Sequence, residues 1–176
     1  EVITVVVNVN INSKPDDALR QICRSWKMDS SETWLFTDNA YIGYGKQWID
    51  LLVVKQEITI TPDGKKWGFD DDDILDDKDD YCRRVIFSPC GTFICFYADG
   101  EVEVGRWEWK DIKNGVLRLW EPVDLDDDDD DDDDDWADVT VRFDGNQMHL
   151  YQDYMDKEDG VKFRVLGVST FTARYY

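Results

Sequence analysis

The residues of this chain whose type and spacing could do chemistry are carboxylates. Of 40 acidic residues, 19 fall in two segments: DDDDILDDKDD at 70–80 and DLDDDDDDDDDD at 124–135, the latter with ten consecutive aspartates. Outside them 21 acids face 19 bases, so a formal charge of -20 shrinks to about -2 and the acidity is local. Hard cations favour carboxylate oxygens, so calcium is the metal these segments would take. Asp70, Asp72, Asp76, Asp128 and Asp130 are the candidate ligands. An EF-hand loop needs a glycine at its sixth position, and residues 70–80 contain none. Adjacent carboxylates repel one another and stay solvated. The expectation is therefore a mobile loop that binds Ca2+ weakly at most, with no other cofactor. A specific calcium site and docking to a basic protein are the sharper alternatives.

Catalytic apparatus is sparse. His149 is the single histidine, alternating with Gln147 and Tyr151 in a strand pattern. Without it no Ser-His-Asp or Cys-His arrangement can be built, and no glycine-rich phosphate loop is present. Glycoside chemistry needs two carboxyls in distinct environments, which identical exposed aspartates do not supply. A non-enzymatic protein is expected. Cys23, Cys82, Cys90 and Cys95 include no C-x-x-C pair, and a single histidine argues against a zinc site. Four cysteines allow three disulfide pairings, and buried free thiols are the simplest expectation.

The charge argues against nucleic acid and anionic lipid as partners and for cations or basic proteins. No apolar run approaches the roughly 20 residues of a membrane helix. Glu1 is not preceded by an initiator Met, so a processed chain is expected, its targeting segment and any lipid anchor removed.

Elements that could position the acids follow from periodicity. VITVVVNVNIN near the start alternates as a strand, and Ser13 with Pro15-Asp16-Asp17 marks the start of a short helix over 16–24. Strands are expected at 26–36, 48–61, 65–69, 82–88, 92–98, 102–110, 116–121, 137–143, 147–154 and 161–175. Asp63-Gly64, Asn114-Gly115 and Asp144-Gly145 read as tight hairpins, joined by Pro89-Cys90-Gly91, Asp99-Gly100 and Asp159-Gly160. Val102 and Val104 fall out of phase with Trp107 and Trp109, which suggests a bulge at Gly105. Such a meander should close into an all-β, antiparallel up-and-down barrel of about 8–10 strands. In an up-and-down path alternate connections share an end, and parity places both aspartate segments at one mouth. Residues 1–23 would be a strand and helix packed on the barrel, and 24–176 the barrel itself. Trp34, Trp48, Trp107, Trp109 and Trp120 would fill it, or wall a pocket for an apolar or sugar-like ligand.

Three short motifs carry a family resemblance: Arg24-Ser25-Trp26 entering the first strand, the hairpin around Cys90-Gly91-Thr92-Phe93, and Gly105-Arg106-Trp107 followed by Leu117-Arg118-Leu119. With them the chain resembles the lipocalin-like domains of the calycin group, in particular small cell-envelope lipoproteins of Bacteroidota. The resemblance implies a floor at which Arg174 stacks on Trp26. It also implies an extracytoplasmic location, in the cell envelope or secreted, and a monomeric protein. That protein would hold a small apolar or amphipathic ligand, the alternative being an envelope module whose acidic loops meet calcium or a basic protein.

Overall fold

The alternation of the strands closes on itself. A computed structural model describes residues 17–38, 40–120, 136–158 and 160–174, and among these the chain forms ten strands and two short helices. In order they are α1 (Asp17–Ile22), β1 (Ser25–Thr37), β2 (Ala40–Asp50), β3 (Val53–Ile60), α2 (Pro62–Trp67) and β4 (Cys82–Phe87). Then come β5 (Thr92–Tyr97), β6 (Val102–Asp111), β7 (Val116–Trp120), β8 (Trp136–Asp144), β9 (Gln147–Glu158) and β10 (Val161–Arg174). All pairings are antiparallel in the order β10-β9-β8-β7-β6-β5-β4-β1-β2-β3, and β10 also pairs with β1. β1 and β4 to β10 thus form a closed eight-stranded barrel, an architecture compatible with a lipocalin-like fold.

β1 is long enough to serve two partners on one edge. Ser25, Trp26 and Lys27 pair with β4, whereas Ser30 to Thr37 pair with β2. The β2–β3 hairpin therefore peels away from the ring and extends its wall at the mouth. The free edge, β3, exposes Lys55, Glu57 and Thr59, polar groups that discourage edge-to-edge pairing.

The end where β1 begins is the floor. Trp26, Met28, Phe87, Trp107, Leu117, Met148 and Phe171 fill the barrel above it, each burial stabilising by roughly 1.5–3 kcal/mol. Ile22 of α1, fully buried, plugs the opening, and the Trp26 indole N–H donates to its carbonyl at 2.8 Å.

Several expectations are corrected. Residues 65–69 are not a strand: Thr61 caps α2 by accepting the Gly64 N–H at 3.1 Å, Pro62 takes the first turn, and Gly68 ends the helix at φ 90°. Asp63-Gly64 is therefore the first turn of a helix, not a hairpin. Residues 40–47 are not a loop but most of β2, and the expected strand 48–61 is broken by a two-residue turn at Leu51-Leu52. One strand fewer and one strand more leave the parity intact: the end of β3, the start of β4 and the paired ends Trp120 and Trp136 all lie at the mouth. Gly105 makes no bulge. Its register with Phe93 is continuous, Val102 and Val104 face outward, and a Cβ there would lie 2.3 Å from the Phe93 ring. Arg174 does not cover Trp26 either: Ala173 is the residue opposite Trp26, which points Arg174 outward. Arg24 takes the stacking position at 5.4 Å. Residues 1–16, on which the expected N-terminal strand and helix start fall, lie outside the described residues.

Candidate functional site

The first aspartate segment is not a free loop. Between its acids stand Ile74 and Leu75, both buried, at 3% and 7% exposure. They insert where β2 carries Gly43 and Gly45. A Cβ on Gly43 would lie 2.7 Å from Ile74, and one on Gly45 only 2.5 Å from Leu75. The two glycines are thus a slot for two apolar knobs. Leu35, Ile42, Phe69, Phe163 and Val165 complete a second small core at the mouth, with Phe69 edge-on to Phe163 at 5.3 Å. The mobile-loop expectation for 70–80 is corrected on this ground: burial of the knobs outweighs the repulsion.

Polar contacts secure the segment further. The amides of Gln47 and Gln56 both donate to the Asp76 carbonyl, at 2.8 and 3.0 Å. The Asp73 carboxylate accepts the Asp70 N–H at 2.6 Å, and the Asp70 carboxylate accepts the Asp72 N–H at 3.0 Å. Farther along, Ala98 and Asp99 N–H groups donate to the Asp79 carbonyl, which ties the segment to the end of β5.

Between the two cores the interior turns polar. A β-bulge between Met28 and Ser30 changes the phase of β1, so that Ser31 and Thr33 face inward above Met28. Gly167 and Ser169 of β10 and Gln152, Tyr154 and Asp156 of β9 join them. The acidic segment lies over this belt with Asp72, Asp73 and Asp76, enclosing a cleft of about 360 Å³. Its lining includes four carboxylates and no lysine or arginine. Burial, and then Asp80, push the Asp76 carboxyl above its ordinary range. Burial, followed by Asp156 and Asp76, pushes the Tyr154 hydroxyl up. Such a cleft suits a cation that brings hydrogen-bond donors with it.

Of the calcium candidates, Asp72 and Asp76 line the cleft, while Asp70 turns its carboxylate onto the local backbone. Asp128 and Asp130 lie outside the described residues. Among the described residues no three His, Cys, Asp or Glu side chains converge on a point that could hold a metal ion. His149 contacts the Thr170 hydroxyl at 3.2 Å on the outer phase of β9. The tryptophans divide: Trp107 and Trp109 point inward and meet edge to face at 6.3 Å, whereas Trp34, Trp48 and Trp120 take the outer phase. Cys23, Cys82 and Cys95 are half-buried and Cys90 is exposed, all four as free thiols, so burial fails as an expectation at Cys90. Sequence reading missed Ile74, Leu75, Gly43 and Gly45. The signal that could have found them was two aliphatic residues set in a run of acids, facing a Gly-x-Gly in an aromatic strand.

Among the described residues no helix is long and apolar enough to cross a membrane. Comparison of the chain with protein-family models, with curated proteins and with solved structures finds no match.

Proposed function

We propose that the protein is a non-enzymatic binding module that takes up a small organic cation, an amine, in the acidic cleft at the barrel mouth. The observation carrying this reading is the polar belt of Ser31, Thr33, Gln152, Gly167 and Ser169 beneath Asp72, Asp73, Asp76 and Asp156. Carboxylates supply the charge complement, and the hydroxyls and amide accept the ammonium hydrogens. The packed lower barrel, with Trp107 and Phe87 edge to face at 5.7 Å, leaves the mouth as the place for a ligand. A wholly apolar ligand fits this lining poorly. The lipocalin-like resemblance supports an extracytoplasmic setting, in the manner of envelope lipoproteins, for the same module.

Spermidine serves as the probe, titrated by calorimetry and by thermal melting at low and high salt. Binding that weakens with salt and is lost in Ser169→Leu, which fills the cleft, is the expected result. No melting shift at millimolar spermidine, or an equal shift in Ser169→Leu, would overturn the reading.

A further inference from the structure

The barrel interior near the mouth holds a pair of thiols that amine binding does not use. Cys82 opens β4 directly after the acidic segment, and Cys95 lies on β5. Cys82 is opposite Tyr97, two residues along β5 from Cys95, so the two cysteines are diagonal neighbours on one face. That face is the inner one, because Val85, opposite Cys95, is buried in the core. A register shift between Cys82 and Arg84 places the extra residue of a bulge beside them, increasing the local twist. Both thiols are half-buried against the main core, and the Cys82 thiol donates to the Arg84 carbonyl at 3.4 Å. The next interior neighbours are polar: Glu103, opposite Cys95 on β6, accepts the Tyr97 hydroxyl at 2.7 Å.

We infer that Cys82 and Cys95 form a reversible dithiol–disulfide site that clamps the exit of the acidic segment to β5. Diagonal placement leaves the pair at the far limit of disulfide geometry, and the extra residue of the bulge next to Cys82 supplies the backbone adjustment that closes the gap. The oxidant is a low-molecular-weight disulfide. Cys82 attacks one of its sulfurs as thiolate, forming a mixed disulfide and releasing one small thiolate. Cys95 then attacks the Cys82 sulfur, its proton passing to the second small thiol as it leaves. Two protein thiols lose two electrons and two protons in total, and one small disulfide becomes two small thiols. The order follows the environment: the neighbouring Cys95 thiol draws the Cys82 thiol down, and Cys82, with burial, holds Cys95 protonated.

The consequence falls on the cleft. The segment that roofs it ends two residues before Cys82, and its Asp79 carbonyl already accepts the N–H groups of Ala98 and Asp99, just beyond β5. A covalent bond there closes a short loop and should favour the folded state by about a hundredfold.

The full chain, equilibrated with oxidised glutathione and alkylated under denaturing conditions, tests this by mass spectrometry. The expected product lacks two hydrogens and yields a Cys82–Cys95 linked peptide, reversed by reduced glutathione, while Cys95→Ser stops at a glutathione adduct on Cys82. Full alkylation of both cysteines in folded protein under excess oxidised glutathione would overturn the inference. So would linkage of either one to Cys23 or Cys90. Cys90→Ser, which removes the exposed competitor, must leave the linked product unchanged. Spermidine affinity plays no part in this readout, so the two proposals fail separately.

Discussion

Replacing Ile74 and Leu75 together by alanine removes the knobs that hold the acidic segment in place. Each truncation deletes three methyl or methylene groups, worth about 0.8 kcal/mol apiece in transfer. A residual cavity raises the cost of such changes to roughly 2–5 kcal/mol per residue. Because the two side chains share one slot over Gly43 and Gly45, their effects should add incompletely, to about 4–6 kcal/mol in all. Against this the segment keeps the two glutamine bonds to the Asp76 carbonyl, each contributing about 1 kcal/mol net. It also keeps its crowded aspartates, which favour release. The deficit exceeds what holds the segment but touches little of the main core, which lies around Trp26 and Leu117. The expected outcome is local release: hydrogen exchange in 69–81 rises to unprotected rates while β8 and β9 keep their protection. Unchanged protection in 69–81 would refute the anchoring argument. Uniform loss of protection throughout the barrel would refute the separation of the two cores.

Gly45→Val should act from the other side of the same slot, since its Cβ would already sit 2.5 Å from Leu75; overpacking costs roughly 1–3 kcal/mol, read as a lower urea midpoint. The Leu51-Leu52 turn has φ of 48° and 72° with side chains 90% and 79% exposed. Left-handed backbone costs bulky residues roughly 1–2 kcal/mol each, so Leu51→Asn with Leu52→Gly should raise the melting temperature, and an unchanged melt would contradict the strain. Asp138 is held down to about 2 by the Arg118 guanidinium and then Lys110. A depressed carboxyl stabilises the fold above its unfolded value and loses that contribution as pH falls through the folded one. Asp138→Asn should therefore cost about 1 kcal/mol at neutral pH, allowing for solvent screening. In acid melts the gap to the parent should close between about pH 4 and pH 2, and a gap that persists would count against the ion pair. The Asp76 carboxyl is raised instead, so spermidine binding should begin to weaken above the ordinary carboxylate range as pH falls, and Asp76→Asn should flatten that dependence in calorimetry.

Turn chemistry made much of the barrel legible. Gly91, Gly100, Gly115, Gly145 and Gly160 all adopt positive φ at the expected connections, because nothing else in those dipeptides supplies left-handed backbone. Strand phase was equally readable where one face is buried, as in Val139 and Val141, both 2% exposed. The failures share a physical cause: glycine used for space rather than for conformation. Gly43, Gly45, Gly64 and Gly105 lack positive φ, yet a Cβ on any of them would meet a neighbour at 2.7 Å or closer. A single sequence cannot distinguish a glycine that bends the chain from one that admits another side chain. Gly43 and Gly45 therefore made a strand look like a loop, and Gly64 made a helix look like a hairpin.

The same distinction governs the site. Local charge density predicts that eight aspartates within residues 70–80 remain in solvent, and most of them do. What decides their placement is a contact remote in sequence, between the Ile74-Leu75 pair and a slot 29 to 31 residues earlier in the chain. Once those knobs are seated, the chain direction leaves Asp72, Asp73 and Asp76 over the polar belt of β1, β9 and β10. The carboxylates of the cleft are thus positioned by the apolar residues between them. A variant that keeps every aspartate but loses the two knobs should lose the site as completely as one that loses the charge.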